Sequence, residues 1–146
     1  MKIMRKVLFS LVLTVVCFAS IQAQTKTFKG KDGYKIKVKF TDVTDSMLYL
    51  VHYYGKPLPT IYRTDSARLD KKGEAVFQND SFTLGGIYMV LMSDKSSYFE
   101  MLLNNGDNFS VTATKKELPA GLVFKNSPEN ERFITYVSYL VDYGNR

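Results

Sequence analysis

Between Tyr34 and Phe40 every even-numbered residue is apolar (Tyr34, Ile36, Val38, Phe40) and every odd one is lysine (Lys35, Lys37, Lys39). Side chains alternate across a strand with a period of two, so this segment reads as a half-buried strand with one apolar and one charged face. Such a pattern commits the chain to a sheet with one dry side. Lysines on the wet side suit an edge strand that resists pairing with other chains, and that reading is preferred here over an anion-binding patch.

Further strand-like runs follow. Met47–Tyr54 is dense in aromatic and apolar strand formers and ends at the breaker Gly55-Lys56-Pro57. Residues 61–69 and 74–78 flank Asp70-Lys71-Lys72-Gly73, and residues 98–103 and 109–113 flank Asn104-Asn105-Gly106-Asp107. Tight turns between alternating segments predict two β-hairpins, with Gly73 and Asn105-Gly106 supplying the turn conformations. Residues 87–92 and the short piece 122–124 add two more strands.

One helix is expected. Ser127 is placed to cap it, Pro128 to occupy its first position and Glu129 to meet the positive end of its dipole, with Gly144 as the stop. Phe133, Tyr136, Val137 and Leu140 then recur at i, i+3, i+4 and i+7, an apolar stripe that seeks a partner surface. About eight short strands and one terminal helix over 126–144 imply an all-β fold, a mainly antiparallel sandwich or flattened barrel.

The N-terminus has a different character. Lys2, Arg5 and Lys6 precede an apolar run over 7–18 and a small-residue stretch ending at Ala23, which is the layout of a cleaved secretory signal. The run falls short of the roughly 20 residues of a spanning helix. Thr14-Val15-Val16 before Cys17 lacks the small residue that lipid-modifying cleavage requires, so cleavage after Ala23 is expected rather than anchoring at Cys17. The expected location is the periplasm or envelope of a Gram-negative-type bacterium, with no membrane span after processing. Residues 24–146 form one expected domain carrying seventeen basic and fourteen acidic residues, a net +3 rather than the +6 of the whole chain. Without cysteine, that domain depends on packing rather than disulfides.

Residue types for catalysis are sparse. The only histidine, His52, lies within a strand-like run, and Cys17 lies in the signal, so neither a zinc site nor a nucleophilic triad is expected. The Asn104–Asn108 cluster lacks the ligand spacing of a calcium loop and reads as turn chemistry. Gly85-Gly86 precedes a strand, the wrong context for a phosphate loop. No cofactor, metal or nucleic-acid partner is expected. Strand tyrosines (Tyr49, Tyr53, Tyr54, Tyr62, Tyr88, Tyr98) are read first as cross-strand packing and second as a ligand surface.

The ordered set of 48–55, Thr64-Asp65-Ser66-Ala67-Arg68-Leu69-Asp70, Gly73, Phe77, Gly86-Ile87-Tyr88, 98–103, Asn126-Ser127-Pro128-Glu129-Asn130 and Phe133 resembles the β-rich domain of unknown function that precedes the thioredoxin-like domain in TlpA/ResA-type envelope thiol-disulfide proteins. The resemblance runs from about Lys26 to Tyr143. It implies an envelope module working beside a redox domain. No Cys-x-x-C pair occurs in this sequence, so the oxidoreductase chemistry and its residues do not carry over. The expectation is therefore a non-catalytic module that positions a thioredoxin-like domain or binds its client, with Phe133, Tyr136, Val137 and Leu140 as the candidate partner surface. The alternative is a self-standing binding domain that takes a glycan or peptide through exposed tyrosines.

Overall fold

The computed structural model describes residues 31–54 and 60–144. The expected signal and its cleavage site, Cys17 and the 55–57 breaker lie outside them. Eight strands are present: β1 (Tyr34–Phe40), β2 (Met47–Tyr54), β3 (Thr60–Arg68), β4 (Glu74–Asn79), β5 (Gly86–Met92), β6 (Tyr98–Leu103), β7 (Asp107–Ala113) and β8 (Val123–Lys125). One α-helix, α1 (Pro128–Gly144), follows, two residues later at its start than the expected 126–144.

The strands form two four-stranded sheets, β4-β1-β7-β8 and β3-β2-β5-β6. The arrangement is an open sandwich and not a flattened barrel. Pairing is antiparallel except between β1 and β7, which run parallel from Tyr34 opposite Asp107 to Phe40 opposite Ala113. The charged alternation of β1 therefore belongs to a central strand, hydrogen-bonded to β4 on one side and β7 on the other. That corrects the expectation of an edge strand, since both its neighbours are in place.

Both expected hairpins are arches. β3 pairs with β2 and β4 with β1, so Leu69–Gly73 carries the chain from one sheet to the other. Likewise β6 pairs with β5 and β7 with β1, and Asn104–Gly106 makes the second crossing. A tight turn between alternating strands specifies a reversal of direction; which strand each one pairs with is decided by the rest of the sheet. Asp70 holds the first crossing by accepting hydrogen bonds from the Lys72 and Glu74 amides at 2.8 and 2.9 Å, which keeps its carboxyl below the usual range. Asn105 holds the second: its Oδ1 accepts from the Gly33 and Thr83 amides at 2.8 and 3.1 Å, and its Nδ2 donates to Asp32. It joins the start of β1, the β4–β5 loop and the β6–β7 crossing, a larger task than turn formation.

The core lies between the layers. Tyr34, Ile36, Val38 and Phe40 from β1 meet Leu48, Leu50, Val90, Phe99, Met101 and Leu103 from the other sheet, all almost wholly buried. Phe40 and Phe99 bridge the layers with ring centroids 6.4 Å apart. Each such side chain contributes roughly 1.5–3 kcal/mol by leaving water.

One polar side chain is as buried as this core. Asn130, in the first turns of α1, is 1 % exposed. Its Oδ1 accepts from the Leu102 amide at 2.7 Å, and its Nδ2 donates to the Leu102 carbonyl at 2.8 Å and to the Ser127 hydroxyl at 2.8 Å. Leu102 belongs to β6, an edge strand whose outward backbone groups need partners. A carboxamide has the donor and acceptor of a peptide group, so Asn130 stands in for the missing neighbouring strand at that residue. Ser127, expected to cap the helix amides, instead accepts from Asn130 through its hydroxyl, while its carbonyl accepts from the Glu131 amide at 3.1 Å.

Two substitutions test this account by urea denaturation. Asn130→Leu keeps the volume but leaves both Leu102 groups unpaired, and an unfolding free energy lower by about 1–3 kcal/mol is expected; an unchanged value would contradict the pairing. Gly33 has φ +83°, and a Cβ there would lie 1.8 Å from the Asn79 carbonyl oxygen, whereas one at Gly86 meets nothing within 4 Å. Gly33→Ala is expected to cost at least about 2 kcal/mol and Gly86→Ala less than about 0.5.

Candidate functional site

The clamp at Asn130 sets which face of α1 meets the sandwich. Residues four and seven positions on, Ile134 and Val137, lie on the same side of a helix. Ile134 packs against the core, and with Val137 it lines a small depression of about 160 Å³ against Tyr98, Glu100 and Pro119. Val137, Ser138 and Val141 line a second against Pro119 and Ala120. The docked side is thus Asn130, Ile134 and Val137.

The expected stripe divides across this arrangement. Phe133 and Val137 are half-buried, whereas Tyr136 and Leu140 are exposed, at 58 % and 46 %. Tyr139 and Tyr143, which the stripe did not include, join the exposed side and stack with centroids 6.3 Å apart. Periodicity found an amphipathic helix and offered its apolar stripe as a partner surface, without indicating which side docks on the sandwich. The inward side begins with a polar residue, Asn130, which no apolar pattern registers. Its outward side consequently shows three tyrosines and a leucine to solvent. Large amphipathic side chains of this kind are enriched where proteins bury contacts.

A second cluster lies where β2 ends and β3 begins. Tyr53, Tyr54, Ile61 and Tyr62 are all about half exposed or more, as is Tyr98, so much of each side chain stays open to solvent beside its cross-strand neighbour. Tyr34, by contrast, is fully buried and Tyr88 nearly so. His52 is half-buried in β2, its ring 5.8 Å from that of Tyr62 and 5.2 Å from that of Tyr88, with Nδ1 2.9 Å from the Thr64 hydroxyl. Its hydrogen-bond partner is a hydroxyl rather than the carboxylate that orients a triad histidine. The Tyr88 hydroxyl donates to the Leu84 carbonyl at 2.9 Å, and the Tyr34 hydroxyl donates to Asp65 Oδ2 at 3.2 Å. Burial, then the Asp65 charge, holds the Tyr34 phenol far above its ordinary range, and burial alone raises that of Tyr88. Both phenols stay protonated as donors.

Ionised groups elsewhere brace loops. Asp94 accepts from the Ser96 and Ser97 amides and the Ser97 hydroxyl, and pairs with Lys115 at 2.7 Å. The Lys115 contact and these hydrogen bonds hold its carboxyl far below the usual value. Asp42 accepts from the Lys115 and Lys116 amides, which lowers its carboxyl likewise. Asp107 moves upward, because burial outweighs the hydrogen bond from the Asn104 amide. Among the described residues no group of three or more His, Cys, Asp or Glu converges on a common point, and no helix is long and apolar enough to cross a membrane.

Comparison with curated proteins and with solved structures yields no match. Residues 34–133, from the first residue of β1 to Phe133 of α1, match the domain of unknown function DUF4369. That span takes in both sheets and the Asn130 clamp, and on it the chain belongs to the DUF4369 family.

Proposed function

We propose that this chain is a non-catalytic module of the cell envelope that binds a protein partner, and that it works in association with a thioredoxin-like thiol-disulfide oxidoreductase of the TlpA/ResA type. The observation that carries the reading is the exposed side of α1. Its first turns are pinned to β6 by Asn130, while Tyr136, Tyr139, Leu140 and Tyr143 face solvent. A helix fixed at one end has already lost most of its freedom, so a partner covering those side chains gains burial at low ordering cost. The arrangement suits helix-mediated docking. The N-terminal signal pattern and the resemblance to the domain preceding a thioredoxin fold supply the envelope setting. The sequence has a single cysteine, so on this reading the redox chemistry belongs to the partner.

A second reading is favoured by the β2–β3 end, where Tyr53, Tyr54 and Tyr62 are exposed: a binding surface for a glycan or peptide, stacked on tyrosine rings. One titration separates the two. With the thioredoxin-like domain of a TlpA/ResA-type protein as ligand, Tyr136→Asp/Leu140→Asp is expected to weaken binding at least tenfold without lowering the melting temperature, and Tyr54→Ala/Tyr62→Ala to leave binding intact. No binding by the wild type, or wild-type affinity in the helix variant, overturns the proposal. Loss confined to the tyrosine variant overturns the helix as the docking surface and moves the contact to the β2–β3 end.

A further inference from the structure

The outer face of the β4-β1-β7-β8 sheet has no part in the reading above. Register sets Lys37 beside Ser110 of β7, and Ser110 beside Lys125 of β8. Lys35 and Lys39 flank Lys37 on the same face, about 7 Å away on either side, and Lys125 lies about 10 Å across two ladder spacings. Lys37, Lys39 and Lys125 rim a shallow depression of about 350 Å³ with Ser110 and Thr112 between them. The one acid on this face, Glu74, is paired with Lys39 at 2.9 Å. Among the described residues, Lys35, Lys37 and Lys125 have no acidic partner.

Two ordinary explanations fail. β1 is a central strand, so its lysines guard no edge. Nor is the face one sample of an evenly positive surface: the described residues include thirteen basic and fourteen acidic side chains, yet this face holds four of the former and one of the latter. The remainder of the described body is therefore net negative, with nine basic and thirteen acidic side chains, while this face is net positive.

We propose that this face binds the anionic phosphate headgroups of a lipid bilayer and holds the chain peripherally on that surface. An open sheet face can meet a plane with all its lysines at once, and each near an anionic surface strengthens binding about fivefold. Val76 and Val123, about half exposed beside the lysines, add small apolar contacts. The outward positions of these four strands carry no aromatic ring, so the face lacks the stacking platform that single-stranded nucleic acid uses.

Cosedimentation with phosphatidylcholine vesicles, with and without about one-third phosphatidylglycerol, tests the proposal on the protein purified as the cell leaves it. Binding is expected only to the anionic vesicles, weakening as salt rises. Lys35→Gln/Lys37→Gln/Lys125→Gln is expected to reduce it at least tenfold. The matched Lys71→Gln/Lys72→Gln/Lys95→Gln variant, with three charges removed elsewhere, should change it less than about threefold. All forms share one N-terminus, so the difference between the two triple variants isolates the face, and their melting curves should coincide with that of the wild type. Absence of binding to anionic vesicles, binding insensitive to salt, or equal losses in the two variants overturns the proposal. So does face-dependent binding of single-stranded DNA without vesicle binding.

Discussion

A carboxamide standing where a strand is missing governs how this domain ends. The second sheet closes on β6, and at Leu102 the outward amide and carbonyl are met by the side chain of Asn130. Leaving those backbone groups unpaired would cost about as much as a lost core methylene or more. The pairing also determines the rotation of α1 about its axis. With Asn130 against the strand, Ile134 and Val137 turn toward the sandwich, while Tyr136, Leu140 and Tyr143 turn away. A stabilising contact at one residue thus selects the surface that the proposed partner would meet.

Local patterns in the sequence carried the strands well. Alternation over Tyr34–Phe40, aromatic density over Met47–Tyr54 and the Asn-Gly turn each marked a real element, and the helix began at Pro128. What stayed illegible was pairing. Asp70–Gly73 and Asn104–Gly106 have the chemistry of hairpin turns, but a chain that reverses into the opposite layer uses the same residues. Assignment of β1 to the sheet centre, and its parallel match with β7, depends on strands some seventy residues apart in sequence. No local window contains that information.

The site was legible in the same partial way. Hydrophobic spacing identified α1 as amphipathic and named Tyr136 and Leu140, both exposed, but it also named Phe133 and Val137, which are partly covered. Asn130 explains the partial cover: it turns Val137 toward the sandwich, and hydrophobic patterns score a buried amide as an outside residue. For the tyrosines the limit was exposure, since Tyr88 and Tyr54 have similar strand settings yet one is buried and the other 71 % exposed. The lysines of β1 were correctly placed on a wet face. Their meaning changed once neighbours on both sides removed the edge explanation.

Native-state hydrogen exchange reads the central contact without altering a residue. If Asn130 completes the edge of β6, the Leu102 amide exchanges as slowly as amides in the interior of its sheet, and the Asn130 side-chain amide protons share that protection. Within α1, protection should be greatest near the clamp and fall toward Gly144. Rapid exchange at Leu102 in the folded protein, at the rate of an unpaired edge amide, would contradict the clamp and with it the fixed presentation of the helix.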